Sequence, residues 1–388
     1  MSGYISSNAN RFYVALESAY GSVAAVTAAH RIPALKLTVQ QQMGLADRKD
    51  KTGSRTYGGV PTGGRKQTTF ELRTYLTSWD KSTTSPVYGP LVQAALGGAP
   101  LSTSGGTVTS SLAQGQLAFA ANHGLVAGQA VASASEIRFV TNVVDPLTIQ
   151  LNAPFTVTPT GALGGTVTYT PATNLPSVSV FDYWSPTTAV QRLLCGAGVD
   201  QMTVLVNGDY HEVHFKGIAQ DVLDTSSFSA GGGSLPSFPV EPALSAFDFS
   251  VVPGNLGQAW LGTSPNQFFT VTSASLVVKN ALDTRSKEFG SSVPRAISPG
   301  QRSVTAAVDL YSQDDMATTA LYQAARQRSP ITAMFQLGES AGQMMALYMK
   351  SVVPEVPEFD DGEQRLQWKF RPSRARGTAD DEVVVAFA

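Results

Sequence analysis

The feature that most constrains this chain is an order of elements written twice. Residues 31–39 alternate apolar and polar side chains from Leu35 onward, the period of a half-buried strand. A polar, glycine-rich arm follows over 44–64, and 65–76 alternates again, with Thr69, Glu71 and Arg73 set against Phe70 and Leu72. Pro90 opens a short helix that ends at Gly97. The second half repeats this with a strand at 275–278, an arm at 281–300 and a strand at 302–310. A helix then runs to about Arg328, with Ser312 as N-cap and Asp315 three residues on. The matches continue in detail: Tyr57-Gly58 with Phe289-Gly290 inside the arms, and Pro61 to Arg65 with Pro299 to Arg302 at their exits. Glu71-Leu72 matches Asp309-Leu310, and Leu91 to Ala95 matches Leu321 to Ala325. Strand 177–184 answers 330–337, and the Asn207-Gly208 hairpin answers Asp361-Gly362. One order kept over six elements points to a duplicated building block.

The expected organisation is mainly β, of the α+β kind, in two β-sandwich or barrel domains, each with a flanking helix. The first domain is discontinuous, 1–100 plus 172–225. Residues 101–171 interrupt it with a small all-β module that faces outward. Its charged residues are only Glu136, Arg138 and Asp145, and Thr, Ser, Gly, Ala and Val dominate. Residues 226–239, around Gly231-Gly232-Gly233-Ser234, form a linker, and 240–388 form the second domain. Between Ser185-Pro186 and Leu194 the pattern predicts a helix, stopped by Gly196 and Gly198.

Composition narrows the function classes. The net charge of -2 gives no electrostatic reason for tight nucleic-acid binding. Charged residues make up 14% of the 388, against about 25% in ordinary soluble domains, which suits a surface met by other copies of the chain. The single cysteine, Cys195, excludes an internal disulfide and is read as packed at a helix end. No signal peptide or membrane span is expected. His211 and His214 would point to opposite faces of a strand, so one ion cannot readily use both. No Gly-x-Ser-x-Gly elbow or phosphate-binding lysine loop occurs. Asp314-Asp315 suit a helix start, and Arg371, Arg374 and Arg376 suit inter-subunit ion pairs. The expectation is a chain with no catalytic residues, cofactor or metal.

The element order resembles the bacteriophage tail tube (major tail protein) family. The resemblance is carried by Ala15-Leu16-Glu17-Ser18-Ala19-Tyr20-Gly21, then Arg48, Asp50, Arg65 and Glu71, then Tyr75-Leu76 and Gly89-Pro90-Leu91. It covers most of the chain outside the inserted module. The family implies tube domains arranged six to a ring, in rings stacked into a hollow tube through which DNA passes without specific binding. A duplicated chain would then form a trimeric, pseudo-hexameric ring, with a true hexamer second. The implied partners are the chain itself and the tail tip, terminator and tape measure proteins. The implied place is the virion, in a long non-contractile tail made in the host cytoplasm. Ring-to-ring contacts are expected from the arms, at Asp47, Arg48, Lys49, Asp50, Lys51, Arg55, Tyr57, Arg285, Lys287 and Phe289. The alternative is a β-rich receptor-binding or capsid-decorating protein with the inserted module as its working end.

Overall fold

Long alternating segments become long strands, and one of them, residues 192–206, joins two sheets. A computed structural model describes residues 3–44, 51, 53–57, 59, 64–79, 85–112, 115–244 and 246–388. The first half contains β1 (Asn10–Leu16), β2 (Arg31–Ile32), β3 (Ala34–Gly44), β4 (Arg65–Tyr75) and α1 (Gly89–Leu96). The inserted segment follows with β5 (Leu101–Thr103), β6 (Thr107–Leu112), β7 (Gln116–Phe119), β8 (Ala130–Ser133), β9 (Glu136–Asp145), β10 (Thr148–Leu151), β11 (Gly161–Ala162) and β12 (Thr166–Tyr169). The first half then resumes with β13 (Val178–Trp184), β14 (Arg192–Val206), β15 (Glu212–Ala219) and β16 (Asp221–Asp224). The second half has β17 (Gly257–Gly262), β18 (Asn266–Gln267), β19 (Val271–Lys279), β20 (Asp283–Thr284), β21 (Ile297–Ser298) and β22 (Ser303–Tyr311). It ends with α2 (Met316–Gln327), β23 (Ile331–Leu337), β24 (Met345–Val352), β25 (Glu358–Asp360), β26 (Gln367–Arg374) and β27 (Val384–Phe387). The fold is mainly β, with two α-helices among the described residues.

The two halves share one pairing scheme. In the first, β3 pairs β4, β4 pairs β15, and β15 pairs the end of β14. In the second, β19 pairs β22, β22 pairs β26, and β26 pairs β25. A second layer also repeats: β2-β1-β13-β14-β16 answers β18-β17-β23-β24-β27. The strand β14 serves both layers because its register shifts at Val199/Gln201 let it bend without stopping. The second half breaks the same path into β24 and β25, with Pro354 and Pro357 between them.

Three pairs of residues fix the equivalence between halves more finely than the sequence match. Following the registers makes Gly300 the counterpart of Gly64, Arg302 of Lys66 and Glu382 of Asp221. A Cβ on Gly64 would stand 2.5 Å from the Gly44 carbonyl oxygen, and one on Gly300 2.7 Å from that of Ala281. The Lys66 ammonium bonds Asp221 at 2.9 Å, and Arg302 bonds Glu382 at 2.9 Å. The registers make Asp309-Leu310 the counterparts of Arg73-Thr74, two residues on from the Glu71-Leu72 of the sequence match.

Other expectations are corrected. Residues 185–191 form a turn rather than a helix, and 192–194 already lie in β14. The Gln191 side chain closes this turn on the backbone of Trp184, which brings β14 alongside β13. A helix there would leave β13 and β16 without their shared partner. Cys195 accordingly lies within a buried strand, not at a helix end. The N-cap of α2 is Asp315, whose carboxylate accepts the Thr318 N–H at 2.6 Å. The glycine-rich 226–239 segment is ordered against the first half, where Leu235 and Phe238 pack on Tyr13, Phe181, Tyr183 and Leu193.

The inserted segment is tied to the second half. Its strands β12 and β5 extend the sheet beyond β27, while β6 to β11 form a separate sheet. Arg138 is fully buried between Glu136 at 2.8 Å and the face of Trp260 at 4.7 Å, and burial pulls its guanidinium down to about 10. Phe139 stacks on Tyr348, and the Gln336 side chain bonds the backbone of Ile137 and Ser135. Phe387 of β27 sits among Trp79, Tyr88 and Tyr169 from the other side. One apolar core runs through both halves, from Phe12 and Leu72 to Leu276 and Phe387.

Candidate assembly edges and polar sheet face

The two four-strand units lie edge to edge. The end of β14 pairs antiparallel with β19, matching Gln201 with Lys279, Val204 with Leu276 and Val206 with Ala274. The result is one sheet in the order β3-β4-β15-β14-β19-β22-β26-β25. Its outermost strands, β3 and β25, each have one partner among the described residues. Unpaired backbone along such an edge is a template for another strand.

Equivalent residues at the filled and the open edges differ in exposure. Val204 at the internal junction is 0% exposed, whereas its counterpart Phe359 on β25 is 53% exposed. Phe359 stacks on Trp368 and touches Tyr322 of α2, so its ring lies on the core side of the sheet while staying exposed. On β3, Leu35 and Met43 are likewise exposed, and Val39 is half-buried.

The sheet has two unlike faces. One carries Phe70, Leu72, Met202, Val204, Phe215, Leu276 and Leu310 into the core. The other is polar, and most of its acids are paired with a base within or across strands, while Lys36 stands opposite Arg73. Glu71 stands opposite Lys216 at 3.6 Å and takes a hydrogen bond from Arg73 at 2.6 Å. Burial alone would raise the Glu71 carboxyl, but the Arg73 and Lys216 cations outweigh it and hold the pKa below the usual range. Glu212 pairs with His214 at 2.7 Å, and Asp309 accepts from Ser273 at 2.9 Å. On the last two strands Lys369 bonds Asp360, which lowers the acid and raises the base.

The second arm crosses the internal junction. From β19 the chain places Asn280 N–H on the Asp200 carbonyl at 2.7 Å, and Leu282 N–H on the Asp200 carboxylate at 2.7 Å. The buried Asn280 side chain donates to the carbonyls of Ala95, at the end of α1, and Val199. Leu282 and Ile297 cover Gly198, where the absent side chain leaves them room. Farther out, Lys66 N–H donates to Ser292 O at 2.7 Å, Arg65 to Lys287 O at 3.2 Å and Gln220 to Pro294 O at 3.1 Å.

The sequence-predicted contact residues divide accordingly. Asp47, Arg48, Lys49 and Asp50 lie outside the described residues. Lys51, Arg55 and Tyr57 are exposed. Arg285 pairs with Glu288 within the second arm, Lys287 holds Arg65 through its carbonyl, and Phe289 is 100% exposed at the tip. Sequence reasoning missed the strand edges themselves and the Asp200–Asn280 junction. The signal lay in strand pairing, which alternation along one strand does not carry.

The remaining candidates have structural partners. His211 is buried, donates to Leu256 O at 3.0 Å and accepts from Asn207 N–H, and burial lowers its pKa. Burial pushes the Cys195 thiol up to about 12. Arg371 lies 3.9 Å from Glu358, and Arg374 donates to the carbonyl of Arg302. No helix among the described residues is long and apolar enough to cross a membrane. No family model and no curated protein matches the chain.

Proposed function

We propose that the chain is a structural protein that polymerises into stacked rings, forming the hollow tail tube of a long-tailed, non-contractile bacteriophage. The observation that carries this reading is the sheet of two like units joined edge to edge, with free outer strands of the two kinds that meet inside. What joins β14 to β19 within one chain joins β25 to β3 between chains. Such a contact is head-to-tail, and it closes into a ring when the rotation permits. Closure removes every free edge, which makes the wall stiff.

Size favours three chains. Strands about 4.8 Å apart and tilted about 40° give a barrel of about 48 Å backbone diameter for three copies and about 32 Å for two. Once inward side chains are subtracted, the larger ring passes a nucleic-acid duplex with water around it, and the smaller does not. The polar face then lines the lumen, where most acids are paired with a base and the ion pairs offer DNA little to grip. The exposed Tyr57 and Phe289 are the ring-to-ring contacts, and the tail tip, terminator and tape measure proteins are the further partners. The resemblance of residues 15–21, 48–76 and 89–91 to tail tube proteins supports the phage assignment.

Electron microscopy of concentrated protein, with mass measurement of one solubilised ring, tests the reading. Tubes and a three-chain mass are the expected result. A six-chain mass would replace the trimer with a hexamer. Protein that stays a single globule at high concentration would remove the tube altogether.

A further inference from the structure

On the second half, the surface matching the one that the second arm covers is open. It is a cleft of about 770 Å³ lined by Val353, Glu355, Arg302, Arg328, Arg374 and Arg376, among others. Strand registers make Val353 the counterpart of Gly198, and Glu355 that of Asp200. Arg328, which ends α2 with a positive φ, corresponds to Gly97, which ends α1 in the same way. Two positions that hold the second arm in the first half, Gly198 and Asp200, thus have counterparts here that no described residue covers in the same way. The Glu355 carboxylate has no partner among the described residues, whereas that of Asp200 holds Leu282 N–H. Arg302 replaces Lys66; its outer guanidinium nitrogens bond Asp380, Glu382 and the Ala172 carbonyl, and its Nε is buried with no partner.

We infer that this cleft is a lateral socket for a second copy of the chain, filled by the end of its β3. This rests on the ring reading and makes it specific. Register carries the internal junction across to the open one. Val39 of one copy stands opposite Phe359 of the next, as Leu276 does opposite Val204. Met43 takes the place of Asn280 and lies beside Glu355.

Paired cysteines test this, because a disulfide needs Cα atoms roughly 4.4–6.8 Å apart. Val39→Cys with Phe359→Cys probes the strand edge, and Met43→Cys with Glu355→Cys probes the socket. Assembled protein is oxidised and run without reductant, with each single variant as a control; native Cys195 is buried. Both double variants should give covalently linked chains, and the single variants should give none. A link at Val39/Phe359 without one at Met43/Glu355 would overturn the socket while leaving the ring in place. Rings that give neither link would show that copies meet by other surfaces, which overturns both.

Discussion

His211 and His214 lie three residues apart, and burial gives them different chemistry. His214 faces the polar side beside Glu212, while His211 is 1% exposed under the turn after β14. There Nε2–H donates to Leu256 and Nδ1 accepts from Asn207 N–H, so a proton on Nδ1 would set two donors against each other. Burial and this geometry together make the folded chain prefer the neutral ring, although the Leu256 hydrogen bond pulls the other way. A base whose pKa falls on folding binds more protons when unfolded. The chain therefore loses stability as pH drops through the unfolded value near 6.5, and goes on losing it down to the folded value. His211→Gln should flatten that part of the curve. Melting temperatures of both proteins from pH 8 to pH 5 measure it, and parallel curves would refute the assignment.

At the scale of elements, the pairing of β14 with β15 leaves no room for a side chain at Gly217. A Cβ on Gly217 would fall on the carbonyl oxygen of Gly198, which is backbone and cannot swing away. Gly217→Ala should cost about 3 kcal/mol, the upper part of the range for forced overpacking. Thermal or denaturant melts will show it, and a change below about 0.5 kcal/mol, the ordinary surface value, would mean that the strands part easily. Much at this scale was legible in the sequence. The alternation of 35–39 and 65–76 gave the β3–β4 pair, and Asn207-Gly208 gave the turn before β15. The repeat was legible because both halves keep the same punctuation. The helix expected at 185–194 was not there: Ser-Pro and two glycines look like caps, yet Leu193, Leu194 and Cys195 are strand residues buried by β13 and β16. Local punctuation cannot register partners far away in sequence. The free edges stayed hidden for the same reason, since an edge is defined by the neighbour a strand lacks. Nor did the sparse charge of the inserted segment reveal that its Arg138 and Glu136 are buried together against the second half.

For the whole molecule, the polar face decides what a closed ring would do to DNA. Most of its acids lie beside a base, at separations shorter than the Debye length of about 8 Å at physiological salt, while Lys36, which stands opposite Arg73, and Lys279 have no ion-pair partner among the described residues. The paired charges cancel before they reach the axis, so they offer a polyanion little field and little counterion release. The chain's net charge of -2 agrees with this but does not require it, because only the arrangement on one face matters. Thr38, Thr69 and Thr305 lie on that face without charge, and Thr38 and Thr69 are exposed. Thr38→Lys, Thr69→Lys and Thr305→Lys together should leave assembly intact, since none of the three reaches the core. They should make the tube hold DNA, with a salt dependence that steepens by about 0.9 in log–log slope for each phosphate neutralised. Co-sedimentation of short duplexes with preformed tubes, across a series of salt concentrations, reads both effects. Unaltered tubes that retain duplex at physiological salt would show that the lumen itself binds DNA, against the reading above. A triple variant that retains no more than the parent would place the polar face somewhere other than the bore.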